Sequence, residues 1–126
     1  RLGRIRQKDT AAELVVRKLV SELGHRYRVR NRDLPGSPDL ANRRRRWALF
    51  VHGCFWHAHR RCPRATVPKR NRVFWEEKFR TNRERDRRVV RELRAMGFRT
   101  WVVWECETRR PERLARRLAK LFVGLV

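Results

Sequence analysis

The chain has 126 residues and a mass of 15.4 kDa, enough for one domain spanning residues 1–126 with a modest core, and too little for two. Its 35 Lys and Arg outnumber its 13 Asp and Glu, giving a formal charge of +22 that attracts polyanions, foremost nucleic acid, and disfavours self-association without one. No long uncharged apolar run marks a membrane span, and three cysteines are too few for a disulfide scaffold, which points to metal ligation or reduced thiols in a soluble intracellular protein.

From Thr10 to Leu23, apolar residues at Ala12, Val15, Val16, Leu19, Val20 and Leu23 fall on one face of a helix, with Thr10 as N-cap and Gly24 as its stop. Arg26 to Arg30 alternates Arg, Tyr, Arg, Val, Arg and predicts a half-buried strand; Asn31 to Pro38, with Pro35, Gly36 and Pro38, predicts a loop. A short strand at Asp39 to Ala41, then Asn42 and the arginine run Arg43 to Arg46, then the apolar run Trp47 to Val51 read together as a hairpin. His52 to Asn71 lacks a regular period but holds Cys54, Cys62, His52, His57 and His59. Helical spacing returns from Phe74 to Met96 through Trp75, Phe79, Val89 and Leu93, and Gly97 closes it. Phe98 to Trp104 is a buried strand, and Pro111 starts a last helix that turns Leu114, Leu118, Leu121 and Phe122 inward. The order helix, three strands, long helix, strand, helix predicts an α/β fold: a small mixed sheet flanked by helices.

Two groups of residues carry chemistry. Cys54, His59 and Cys62 lie in one loop as C-x4-H-x2-C, and Cys106 follows the last strand, a set of four N/S donors that suits tetrahedral structural zinc. The spacing is unlike paired CxxC motifs, so free thiols beside a surface histidine stand as the alternative. Asp39 starts one hairpin strand and His52 ends the next, which could place a carboxylate and an imidazole at one sheet end, as metal-assisted phosphodiester hydrolysis needs. Glu13, His57 and Asp86 could complete that site. Each also has a structural explanation: Glu13 closes a Thr10-x-x-Glu13 capping box, Asp86 neutralises arginines on its helix, His52 is a satisfied strand end, His57 competes with His59 for zinc, and Asp39 is a turn residue. Phe55 and Trp56 either pack in the core or stack on bases, and Arg43 to Arg46 is either a solvated cluster or a phosphate contact.

The segments Leu-Pro-Gly-Ser-Pro-Asp (34–39), Phe-Val-His-Gly-Cys-Phe-Trp-His-Ala-His (50–59) with Cys62, and Val-Trp-Glu-Cys (103–106) resemble the very short patch repair endonucleases. Arg-Ile-Arg-Gln-Lys-Asp-Thr (4–10) and Asn-Arg-Glu-Arg-Asp (82–86) extend the resemblance, in the same order, over nearly the whole chain. It implies a fold related to restriction endonucleases in which Asp39 is kept and the usual E-x-K element is replaced by Val51 and His52. It further implies Mg2+ held by Asp39 and the Val51 carbonyl, His57 as general base oriented by Asp86, and Glu13 and His52 holding water at the metal and stabilising the transition state. Zinc falls to Cys54, His59, Cys62 and Cys106. Phe55 and Trp56 correspond to aromatics that intercalate beside the mismatch, and Leu2 stands where the family commonly has a methionine wedge, which a truncated N-terminal arm would put in doubt.

The implied reaction is hydrolysis 5′ of the thymine in a T·G mismatch in double-stranded DNA, leaving a nick with a 5′ phosphate, as the first step in repairing deaminated 5-methylcytosine. The implied setting is a monomer in the bacterial cytoplasm, associated with the nucleoid and away from any membrane, with contact to other repair proteins left open. The rival readings are a nuclease of the same fold with another DNA substrate and a zinc-bearing DNA-binding module without catalysis. Convergence of Asp39, Glu13, His52 and His57 in one cleft would favour an enzyme, and their dispersal the module.

Overall fold

The computed structural model describes residues 9–57 and 59–125, without the Arg64 side chain. Helix α1 (Ala11–Glu22) begins as the sequence predicts, with Thr10 in an extended conformation and its hydroxyl accepting the Glu13 N–H. The hairpin strands are β1 (Leu40–Asn42) and β2 (Trp47–His52), antiparallel with Leu40 opposite Leu49. Helix α2 (Arg72–Ala95) then crosses over to β3 (Arg99–Trp104), which runs parallel to β2, and α3 (Pro111–Val123) follows a 3₁₀ turn at Glu105–Arg109. The result is a small mixed α/β architecture with strand order β1-β2-β3.

Alternation along β2 sorts side chains onto two sheet faces. Trp47 and Leu49 join Val16, Val20, Leu40, Val103, Leu114, Leu118 and Phe122 in the core under α1 and α3. Ala48 and Phe50 join Leu34, Ala41, Val89, Leu93 and Phe98 in a second core under α2. His52, two residues beyond Phe50, therefore emerges on the α2 side at the end of the strand. The sheet is covered on both faces, as its parallel half requires.

Three expectations are corrected. Arg26 to Arg30 does not form a strand; only Arg28 pairs, as an isolated bridge to Ala41 with hydrogen bonds of 2.8 and 3.1 Å. Of its two apolar residues, Tyr27 packs on the first core while Val29 is exposed, so too little surface is buried to extend the ladder. The sheet of named strands consequently has three members and not four. The expected inward face of α2 is narrower than its apolar spacing suggested, because Phe74 and Met96 are exposed and Phe79, Val89 and Leu93 carry the burial. Finally, most of the Arg43–Arg46 run is structural. Arg43 pairs with Asp33 and donates to Asn31 Oδ1 at 2.9 Å, Arg45 to the Leu125 carbonyl at 3.0 Å, and Arg46 to the Met96 carbonyl at 3.0 Å.

The free edge of β3 is blocked by one ion pair. Arg117 donates to the Val102 carbonyl at 3.0 Å, Glu107 accepts the Trp104 N–H at 2.9 Å, and the two side chains pair at 2.8 Å. Charged caps of this kind deny an edge strand to a second chain.

Candidate active site and metal centre

The loop before β1 is held rigidly. Buried Asn31 donates to the carbonyls of Arg28 and Pro38 at 2.8 and 3.0 Å. Gly36, at φ +71°, passes so close to α2 that a Cβ there would lie 2.5 Å from Val89 Cγ1. This fixes Asp39 at the mouth of the hairpin, where its Oδ2 accepts the Val51 N–H at 2.6 Å.

A cleft of about 270 Å³ opens at that end of the sheet, lined by Glu13, Asp39, Val51, His52, His57 and Asp86 among others. The residues singled out in the sequence thus converge from α1, the hairpin, the following loop and α2. His57 Nδ1 lies 2.7 Å from Asp86 Oδ2, and the His52 and His57 rings stack at 3.8 Å, 3° from parallel. Asp86 forms no ion pair with arginine among the described residues, so its role as a neutraliser of the helix face is not the one observed. Glu13 stands both at the helix start and in the cleft, though its carboxylate does not close the expected box on the Thr10 N–H. It accepts the Asp9 N–H at 2.8 Å at the helix start, and it forms a wall of the cleft while 5% exposed.

Beyond the cleft, one donor atom from each of Cys54, His59, Cys62 and Cys106 lies within 4.8 Å of the others. Parallel pairing explains the convergence: His52 sits opposite Trp104, and the two flanking cysteines each follow by two residues. His59 Nδ1 is 3.5 Å from Cys106 Sγ and its ring stacks on Trp104 at 4.0 Å, so His59 and not His57 belongs to this group. Burial pushes the Cys54 thiol up to about 12 and raises that of Cys106. Thiols so disfavoured as anions suit a cation that supplies the missing charge.

Phe55 and Trp56 lie between the two groups. They are half-buried, edge to face with each other at 5.1 Å, and Phe55 also meets Trp75 and Phe79 of α2 at 5.4 and 5.2 Å. Leu2 lies outside the described residues.

A family model described as DNA mismatch endonuclease Vsr matches residues 1–64. Type II nicking enzyme V.XorIIP of Xanthomonas oryzae pv. oryzae is 44% identical over 106 residues, covering 84% of this chain and 77% of that protein. Type II nicking enzyme V.NmeAIP of Neisseria meningitidis is 39% identical over 118 residues, 94% and 84% of the two chains. DNA mismatch endonuclease Vsr of Escherichia coli is 42% identical over 110 residues, 87% and 70%. The chain belongs to the DNA mismatch endonuclease Vsr family.

Membership in the Vsr family makes the chain a DNA endonuclease, and hence DNA-binding. No helix among its described residues is long and apolar enough to cross a membrane. Several cleft supports went unnoticed in the sequence. Arg17 Nη2 bridges Asp9 at 2.7 Å and Glu13 at 3.5 Å, and Asn82 Nδ2 donates to the Trp56 carbonyl at 2.8 Å. Asn82 was discoverable: it lies on the same helical stripe as Phe79, Asp86, Val89 and Leu93.

The electrostatics of the Vsr cleft favour a bound cation. Burial first, then the neighbouring Glu13 charge, raises Asp39 to about 6 against the opposing Val51 N–H. Burial first, then His57, lowers His52 to about 4, so it is neutral at neutral pH. Its Nδ1 has no hydrogen-bond partner among the described residues. The two shifts have opposite linkage signs. Because folded Asp39 holds its proton more tightly than the unfolded chain, its contribution to stability falls as pH rises from about 4 to about 6. Folded His52 binds its proton less tightly, so its contribution rises between about 4 and 6.5. In the parent protein without magnesium they largely cancel. Asp39→Asn is expected to show a stability gain with pH over 5–6.5 relative to the parent, and His52→Gln a loss, each on the order of 1–2 kcal/mol. Urea midpoints of the three proteins, compared at each pH, check this; parallel curves for all three would refute it.

Proposed function

We propose that this Vsr-family chain nicks double-stranded DNA 5′ of the thymine of a T·G mismatch, with Mg2+ at Asp39 and the Val51 carbonyl and structural zinc at Cys54, His59, Cys62 and Cys106. The observation that carries this reading is the single cleft shared by Glu13, Asp39, His52, His57 and Asp86. A binding module has no need to bury an aspartate beside a second carboxylate and a carboxylate-paired histidine.

Magnesium there would polarise the scissile phosphate and offset the charge that develops on it. Asp39, costly to ionise when buried, would gain a partner for its charge there. Asp86 accepts from His57 Nδ1, which leaves Nε2 to take a proton from the attacking water. Water attack at phosphorus breaks the bond to the 3′ oxygen and leaves the 5′ phosphate on the thymine. Glu13 and neutral His52 orient water in the cleft and support the transition state. Phe55 and Trp56 insert beside the mismatch, where a wobble pair costs less to unstack than a Watson–Crick pair. The site occurs once per chain, which suits an asymmetric lesion and a monomer that acts as one domain. The sheet-and-helix arrangement is read as a restriction-endonuclease-like fold, acting in the bacterial cytoplasm on the nucleoid.

The test is nicking of an end-labelled duplex with one T·G pair beside matched T·A and C·G controls, with and without magnesium. Cleavage restricted to the thymine strand, on its 5′ side and only with magnesium, is the expected result. Equal cleavage of matched duplexes would favour a nuclease of another specificity, and tight binding without cleavage would favour the module.

A further inference from the structure

Helix α2 treats its arginines in two ways. Arg72 pairs with Glu76 at 3.1 Å, Arg80 with Glu77 and Glu84, and Arg88 with Glu92 at 4.0 Å. Besides Arg85, which lines the other cleft, Arg83, Arg87, Arg91 and Arg94 are exposed, and no ion pair is formed by any of these four among the described residues. Their spacing of four, four and three puts them on one helical stripe about 16 Å long, with roughly 6 Å between successive turns. All four line a groove between α2 and β3 whose floor includes Val90, Val102 and Trp104. That groove shares His52, His57 and Asp86 with the catalytic cleft, so the stripe adjoins the reacting groups.

We infer that this groove is a backbone track: the four arginines bind successive phosphates of the duplex on one side of the scissile bond. Charge complementarity selects the occupant. Four cations without local partners repel one another, and a polyanion with regularly spaced charges relieves that repulsion along the whole stripe. Continuity with the cleft selects the substrate strand near the cut over a remote DNA segment. The blocked edge of β3, with Arg117 on the Val102 carbonyl, argues against an added protein strand in the same groove. Phosphate contacts of this kind fix position and carry no base information. The inference rests on the DNA-endonuclease reading but not on the mismatch.

The experiment measures anisotropy of labelled duplexes, matched and T·G, without magnesium so that no cleavage occurs, across a salt series. Arg87→Gln/Arg91→Gln is compared with Arg88→Gln, whose side chain is paired on another face. The double variant is expected to bind both duplexes more weakly by the same factor, about five-fold per arginine at 150 mM salt, and to lose about 2 from the slope of log K against log salt. Arg88→Gln keeps the parent slope. Shortening the duplex from one end, and not the other, should abolish the difference between parent and double variant. A double variant with the affinity and slope of Arg88→Gln overturns the track. Because matched DNA is included and cleavage is absent, that failure is distinct from failure of the T·G specificity.

Discussion

Asp39→Ala is expected to lower the single-turnover nicking rate on a T·G duplex by at least about 10³-fold at saturating magnesium, while binding of the same duplex is kept. Loss of a metal's charge stabilisation costs several kcal/mol, and each 1.36 kcal/mol is a factor of ten in rate. Among the described residues, Asp39 supplies the one carboxylate in the cleft that is fixed by a short bond to the hairpin backbone, its Oδ2 lying 2.6 Å from the Val51 nitrogen. Glu13, tied to the Asp9 N–H and near Arg17, is already engaged at its Oε1 and cannot replace it. The fold should survive, since the substitution removes a buried carboxylate whose ionisation is unfavourable. Rates from quenched time points and Kd from anisotropy separate the two effects. A variant that nicks within ten-fold of the parent would remove Asp39 from metal binding and direct attention to the His52, His57 and Asp86 donor set, whose atoms also lie within 4.8 Å of one another.

The parts of this site differ in how far they were legible beforehand. Strands β2 and β3 and the three helices follow from periodicity, because each buries a face whose spacing is written in the chain. The Cys/His group was legible for a topological reason: Cys54 and Cys106 each lie just past the end of a strand, and parallel strands end on the same side of a sheet. The cleft was only half legible. Asp39 and His52 are joined by the hairpin, but the meeting of His57 with Asp86 depends on the rotational phase of α2 and on the path of an irregular loop, neither of which leaves a local pattern. Asn82 acts across elements distant in sequence, whereas Arg17 and the Arg117–Glu107 edge cap act over short separations, but in a chain with 35 basic residues nothing distinguishes a tethered arginine from a solvated one. The same excess misled the reading of Arg43–Arg46, whose guanidinium groups mostly close the hairpin turn and hold the chain around it.

Cys106→Ser is expected to empty the proposed zinc site and stop nicking while leaving most of the helix and sheet in place. The two cores lie on either face of the sheet and include none of the four N/S donors, of which Cys54 alone is fully buried. The segment that the metal would hold is different. Between Gly53 and Ala65 its described residues have no regular backbone ladder, with turn bonds such as His59 N–H to the Cys54 carbonyl at 2.9 Å and single bonds to Glu105, Asn82 and Asp86, yet it carries Phe55, Trp56 and His57. Cross-linking it to Cys106 would fix the loop that carries His57 against the ends of β2 and β3. A metal bound only by the folded state contributes its binding free energy to stability. Loss of even about 3 kcal/mol of that, at roughly 3–5 °C per kcal/mol for this size, lowers the unfolding midpoint by about 10 °C. The measurements are metal content per chain, far-UV circular dichroism at 20 °C, the thermal midpoint and the nicking rate. Zinc falling from about one per chain to near zero, with the dichroism kept and nicking lost, is the expected pattern. A metal-free parent chain that nicks at full rate would show that the loop is held by its aromatic contacts with α2 and the Asn82–Trp56 bond alone, and would make the four donors a consequence of packing with no structural metal.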